Sequence, residues 1–273
     1  MRVTNQEIIA PDLPHDLTWV NFHEEDIDDL LRVGPVVIEF WDFCRVNSLR
    51  TMPYMEEWSR RYAGQGVTVL GVHSSNFSFG NDEATVKNAI ERLGVQRPVM
   101  LDPEFKLWQE MENKGWPARY IFGRGGALTY FHYGEGDYEE AELSIQETLR
   151  ALDAEADLPE ALVEPVRPED APGIEMKPQT ADIAVPADVD RLIVDGRGND
   201  WDQAEDYIVS TKAGNTVSAR CDAGEAWAVL SGEGVEYPGL HQVEITKGRA
   251  TVEAPGPGLR VHGFQFTPAP PGA

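Results

Sequence analysis

Val36–Met55, VVIEFWDFCRVNSLRTMPYM, is the stretch whose reading decides the fold. Its first part, Pro35–Trp41, is a short run of β-branched and aromatic residues, the pattern of a strand buried on both faces. A polar loop follows. Leu49–Tyr62 then brings apolar residues back every three or four positions (Met52, Met55, Trp58, Tyr62), which puts them on one side of a helix. A buried strand that feeds a helix through a short loop is a building unit of an α/β layer.

The same alternation extends to about residue 152. Gly66–Val72 reads as a second buried strand. Asp82–Leu93 reads as a helix with Asp82 as its cap, Val86, Ala89, Ile90 and Leu93 as its stripe, and Gly94 as its stop. Val99–Leu101 is a short strand and Pro103–Lys114 a helix. Ala118–Phe122 and Ala127–His132 form a hairpin around GRGG, and Asp137–Leu152 closes the series. The order β-α-β-α-β-α-β-β-α predicts parallel strands joined through helices, then an antiparallel edge. Between Asp153 and Asp190 the period disappears into Pro, Ala and acidic residues, as in an extended linker. From Arg191 the runs RLIVDG, DYIVSTKAG, NTVSARCDAG, AWAVLSGEG, HQVEITKG, RATVEAPGPG and LRVHGFQFTP alternate with Gly-rich turns. They predict a β-sandwich. The expected organisation is therefore an α/β domain over 1–152, an acidic Pro-rich linker over 153–190, and a smaller all-β sandwich over 191–273.

Composition narrows the function classes. The 273 residues include 47 Asp and Glu against 23 Lys and Arg, a formal net charge of −24. Such a surface repels nucleic acid and anionic lipid, so neither nucleic acid nor membrane is an expected partner. No apolar run approaches the ~20 residues of a membrane span. The start, MRVTNQEIIAPDLPHDLTWV, lacks a basic head followed by an apolar stretch, and two cysteines are too few for a disulfide-stapled fold. A cytoplasmic location is expected. His73 and His132 each follow a strand end without a Cys or close carboxylate pattern, and no helix directly follows GRGG, so neither a metal nor a cofactor is expected. Trp201, Trp227, Tyr207 and Tyr237 are read as sandwich core, with an aromatic sugar platform as the alternative.

Residues from about Ala10 to Leu152 resemble thioredoxin-like domains of the TlpA and DipZ type, the redoxins. The carrying motifs are FWDF (40–43), NSLRTMPYM (47–55), VLGVHSSNFSF (69–79), GWPARYIF (115–122) and HYGEGDYEEAE (132–142). The C-terminal part resembles the β-sandwich that follows thioredoxin in DipZ proteins, through RPEDAPG (167–173), Trp201, AWAVLSG (226–232), YPGLHQV (237–243) and LRVHGFQF (259–266). The resemblance implies a thioredoxin-like fold with a second, smaller β domain and a relation to thiol-disulfide oxidoreductases. It implies a cis peptide bond before Pro117 and a buried acid at Glu39. It also implies a Cys-x-x-Cys pair at the helix start. Here those positions read Arg45-Val46-Asn47-Ser48. The attacking cysteine falls on Arg45 and the resolving cysteine on Ser48.

Disulfide exchange needs one thiolate to attack and a second thiol to resolve the mixed disulfide. Ser48 cannot form a sulfur–sulfur bond, which excludes an internal dithiol cycle at these positions. Cys44 sits one residue early. A helix N-terminus and the adjacent Arg45 favour its thiolate, while a one-residue offset turns a side chain by roughly 100° on a helix. Two readings stay open. In one, Cys44 alone is catalytic and an external protein or peptide thiol completes the cycle. In the other, the chain is redox-silent. A groove formed by Trp41, Arg45, Ser48, Trp116 and Pro117 then binds a peptide, a small ligand or a partner protein. Arg45 is expected either to pair with Asp42 or Glu39, or to form an anion site with the helix N–H groups.

Overall fold

The computed structural model describes residues 1, 8–22, 27–162, 164–194 and 201–269. Asp195 and Gly196, the end of the strand expected in RLIVDG, and Val163 in the expected linker lie outside the described residues. The chain divides into two units. The first comprises Met1–Asp42, Asn47–Ser74 and Val86–Ala171. The second comprises Pro172–Ala273 and two short segments, Phe43–Val46 and Ser75–Thr85.

In the first unit, six strands form one sheet: β1 (Trp19–Val20), β2 (Val36–Trp41), β3 (Thr68–His73), β4 (Val99–Leu101), β5 (Ala118–Phe122) and β6 (Leu128–Tyr133). Their order is β1-β4-β3-β2-β5-β6. β2 and β4 flank β3 in parallel, while β1, β5 and β6 are antiparallel to their neighbours. All six residues of β2 are buried. Its side chains alternate between two apolar clusters. Val36, Ile38 and Phe40 join Leu70, Val72 and Met100 on one face. Val37 joins Trp58, Tyr62, Val69 and Ile145 on the other. The continuous apolar run of a central parallel strand follows from that two-sided burial.

The helices are α1 (Ile27–Val33), α2 (Val46–Tyr62), α3 (Glu83–Arg92), α4 (Lys106–Glu110) and α5 (Tyr138–Leu152). α2 starts three residues earlier than its apolar stripe suggests. α4 is shorter than the expected Pro103–Lys114. The Asp102 carboxylate accepts the amides of Lys106 (2.6 Å) and Trp108 (3.0 Å), fixing the start. Glu112, at φ +49°, lies beyond its end. The stretch expected as linker is extended, and up to Ala171 it belongs to the first unit. Leu158 and Leu162 pack against the cluster of Trp58 and Tyr62. Arg167 forks onto Asp170 (2.6 and 2.8 Å), whose carboxylate also accepts the Tyr54 hydroxyl (2.7 Å).

The second unit is all-β in its larger part. One sheet contains β7 (Ile183–Ala184), β9 (Trp201–Gln203), β10 (Ile208–Ser210), β12 (Glu225–Gly232), β13 (Gly239–Val243) and β16 (Leu259–Thr267). The other contains β8 (Leu192–Val194), β11 (Thr216–Arg220), β14 (Ile245–Thr246) and β15 (Arg249–Glu253). Alternate residues of both sheets share one core: Val217, Ala219, Ala250 and Val252 meet Ala226, Ala228, Leu230, Val261, Phe264 and Phe266. This is the sandwich the short runs predict. β16 breaks its own period. Val229 pairs with Gly263 and Leu230 with Val261, which leaves His262 as the extra residue of a β-bulge. Inward positions are 259 and 261 before the bulge, and 264 and 266 after it. Gln265 is thereby turned to the outer face.

No helix among the described residues is long and apolar enough to cross a membrane.

Candidate functional site

The end of β2 and the first turns of α2 hold most of the positions singled out in the sequence. Glu39 is a charged residue in a strand buried on both sides, which requires a counter-ion. Arg97, just before Pro98 and β4, supplies it: Arg97 Nη2 lies 2.6 Å from Glu39 Oε2, and Arg97 Nη1 lies 2.9 Å from Glu56 Oε1. Thr51, one turn into α2, donates its hydroxyl to Glu39 Oε1 (2.7 Å). Glu39 therefore has Arg97 as a counter-ion. An acid inside an apolar strand was the available signal, but its partner lies 58 residues away in the chain.

Trp41 was expected in a groove. Its side chain has 0% exposure. It meets the His73 ring edge-on (centroids 5.2 Å apart), and the Arg97 guanidinium lies 5.6 Å from its ring centre. Gly71 on β3 makes room for it, since a Cβ there would come 2.8 Å from Trp41 Nε1. The inward pleat of β2 thus removes Trp41 from any surface. Ser48 is buried too, and its hydroxyl accepts the Asp42 amide (3.2 Å). Pro117 is buried and Trp116 half-buried. The Trp116–Pro117 peptide is cis. The Asn47 side chain donates to the Trp116 carbonyl (3.0 Å), and Trp116 Nε1 donates to Ser74 Oγ (3.3 Å). The Pro117 carbonyl accepts the Gly134 amide (2.7 Å). Of the five expected groove positions, only Arg45 and Trp116 keep partial exposure.

Cys44 and Arg45 fall in the Phe43–Val46 turn, within the second unit. The Cys44 side chain has 0% exposure. Gln265 Nε2 donates to the Cys44 carbonyl (2.6 Å), and Gln265 Oε1 accepts the Val46 amide (2.8 Å). One side-chain amide thus bonds both the Cys44 carbonyl and the Val46 amide. Phe43 packs edge-on to Phe79 (6.2 Å). Gly80 approaches closely, for a Cβ there would collide with Ser75 Oγ and lie 3.7 Å from Cys44 Sγ. Arg45 acts electrostatically on Asp182. Burial pushes that carboxyl upward, while its bond from the Phe266 amide and the Arg45 charge pull it down. Cys44 and Cys221 are both present as thiols.

The remaining signals resolve into separate local contacts. His132 Nδ1 lies 3.5 Å from Asp137, its Nε2 is bonded to the Glu135 carbonyl (3.0 Å), and burial lowers its pKa. His73 Nε2 lies 3.7 Å from Asp42 Oδ1. No group of three His, Cys, Asp or Glu suited to a metal occurs among the described residues. Trp201 packs on the sandwich core, Tyr207 on His262 and Tyr237 on His241.

No family model matches the chain. It is 31% identical over 153 residues to protein DipZ of Mycobacterium tuberculosis (strain CDC 1551 / Oshkosh), covering 55% of this chain and 22% of that protein. The chain therefore spans about a fifth of the length of the DipZ proteins it matches. It is 25% identical over 139 residues to thiol-disulfide oxidoreductase YkuV of Bacillus subtilis (strain 168), covering 51% of this chain and 93% of that protein. Among solved structures, a thiol-disulfide isomerase from Corynebacterium glutamicum superposes with a TM-score of 0.44 at 24% identity, over 51% of this chain and 96% of the other.

Proposed function

We propose that this chain, which belongs through its N-terminal half to the thioredoxin-like family of thiol-disulfide oxidoreductases, is a redox-silent binding protein built on that fold. The burial of Cys44 carries the reading. The sequence offers no sulfur at 45 or 48, and the one sulfur beside them has 0% exposure. A thiolate must reach a substrate sulfur in solution to exchange. A thiol enclosed by Phe43, Gly80 and a hydrogen-bonded turn does not reach one. The buried Glu39, which in a working member of the family would stand behind the resolving thiol, is occupied with Arg97 and Thr51 and supports the fold instead.

Its partner in this reading is a protein or peptide held by surface contacts, without turnover. Two cysteines that remain thiols fit a reducing, cytoplasmic setting. The test is dithiothreitol-driven reduction of insulin. The parent protein is expected to give the buffer rate, and Arg45→Cys/Ser48→Cys, which restores the pair at a helix start, a rate clearly above it. Reduction by the parent that disappears in Cys44→Ser would replace this reading with single-thiol catalysis.

A further inference from the structure

On the sheet face that carries the cluster of Phe40 and Met100, β5 and β6 leave part of an aromatic floor open. Tyr120 pairs with Phe131 and Phe122 with Leu128 across the two strands, so these four side chains share that face. Helix α4 stops at Glu110. The segment 8–11 runs alongside the start of β6, with the Leu128 amide on the Ile8 carbonyl and the Ala10 amide on the Gly126 carbonyl (2.8 Å each). Between them lies a pocket of about 480 Å³, with Met111 on the α4 side and Ile9 on the other. Small-molecule sites range over roughly 300–1,000 Å³. The Tyr133 ring, 41% exposed, stands at the mouth, edge-on to Tyr120 (6.2 Å) and Phe131 (5.7 Å). The Tyr120 hydroxyl donates to Asn113 Oδ1 (2.9 Å) and lies 3.1 Å from the Tyr133 hydroxyl, which holds the mouth ring in place. Ile8 and Ile9, 46% and 55% exposed, carry the apolar lining out to the surface. The charged residues of the lining are Glu110, Glu112 and Lys114, all exposed.

We propose that this pocket binds a small organic cation, an amine or ammonium head on an apolar body. The apolar floor takes the body out of water. Tyr120, Phe131 and Tyr133 bring three π systems to the head, and aromatic rings attract cations. Two carboxylates against one ammonium leave the lining net negative. The charge of the whole chain, −24, acts in the same direction, drawing a cation to the surface and repelling an anion. It also opposes the other occupants of an apolar patch. A second copy would bring a further −24, and anionic lipid is repelled as well. The N-terminal ammonium donates to the Phe131 carbonyl (2.6 Å), but the carboxylates that act on it are Asp137 and Glu140, outside the lining. The inference goes beyond the redox-silent reading, for no lining residue belongs to β2, to α2 or to the Cys44 turn.

The experiment is calorimetric titration of the full-length chain with three probes that share one body: phenylbutylamine, phenylbutanol and phenylbutyrate. At neutral pH the amine is expected to bind about tenfold more tightly than the butyrate, with the alcohol between them. Glu110→Gln/Glu112→Gln changes only exposed side chains. It is expected to weaken the amine about fivefold and to leave the alcohol unchanged. Tyr133→Ala is expected to weaken amine and alcohol together, and near-UV circular dichroism reports folding in each variant. Absence of amine binding, or equal affinity for amine and butyrate, would overturn the proposal. So would amine binding that neither variant alters, which would assign it to the diffuse acidity of the surface. Sedimentation that shows a dimer for the parent and a monomer for Tyr133→Ala would give the patch to a second copy, and would overturn it too. Insulin reduction by the parent bears on the redox-silent reading alone.

Discussion

The buried Glu39 cluster of the first unit and the buried His262 cluster of the second are built on opposite principles. In the first unit, Glu39 and Arg97 meet as full charges at 2.6 Å, with Glu56 and Thr51 completing the set. In the second, Ser231, His262 and Asp206 are joined through a titratable ring, at 2.8 Å to the serine and 2.9 Å to the Asp206 carbonyl. A charged cluster in an apolar strand must be complete, because a remaining member is a buried uncompensated charge. A cluster held by one ring loses only hydrogen bonds when broken, and its strength depends on pH. The order Ser, His, Asp in the second also resembles a hydrolase relay, but Ser231 and His262 are closed from solvent at 3% and 1% exposure, so its role is structural.

Arg97→Met breaks the charged cluster most severely. The chain is expected to lose about 3–5 kcal/mol, read as a lower urea midpoint, because Glu39 stays buried without its cation. Glu39→Leu/Arg97→Met removes both charges and is expected to recover most of that loss. If the double variant is no better than the single one, the pair contributes more than mutual neutralisation.

Ser231→Ala addresses the ring-centred cluster. It leaves His262 Nε2 buried without its partner and is expected to cost about 1–3 kcal/mol. A change as large as that of Arg97→Met would erase the contrast between the clusters.

The smallest effect is the pH dependence. Burial lowers the His262 pKa below its ordinary value, against the opposing pull of Asp206, and the Arg260 charge acts in the same direction as burial. The unfolded chain then takes the proton first. Stability is full above the ordinary histidine value of about 6.5 and falls as pH drops from there toward the lower folded value. His132 in the first unit is shifted in the same direction, also chiefly by burial. Urea midpoints between pH 7.5 and pH 5 should therefore decline, and His262→Gln should decline less. Identical slopes would show that His262 contributes nothing to the window.

Much of the architecture could be read along the chain because it rests on local periods. The apolar run of Val36–Trp41 and the stripe of Met52, Met55, Trp58 and Tyr62 identify a two-sided strand and its helix before any contact is known. The alternation of Ala226, Ala228 and Leu230 identifies a one-sided strand in the same way. β1 and β7 were invisible because two residues carry no period. β9, at three residues, was little better. The Glu39–Arg97 pair was half visible. The acid in the strand announced a need, but a counter-ion 58 residues distant leaves no local mark. The inward direction of Trp41 is hidden for a related reason. Trp41 belongs to the pleat of β2, and only its neighbours Gly71 and Arg97 reveal that it points inward.

By itself the sequence determined which atoms stand at the start of α2. Positions 45 and 48 carry Arg and Ser, and no folding of the chain changes that. Whether Cys44 can act was decided only in three dimensions. Its burial appears only in the folded unit, where its carbonyl accepts a bond from Gln265, 221 residues away, on a strand whose bulge at His262 selects which face Gln265 occupies. A residue's atoms are local and fixed by covalent bonds. Its accessibility and hydrogen-bond partners are set by register and packing between distant segments, which no short window of sequence contains.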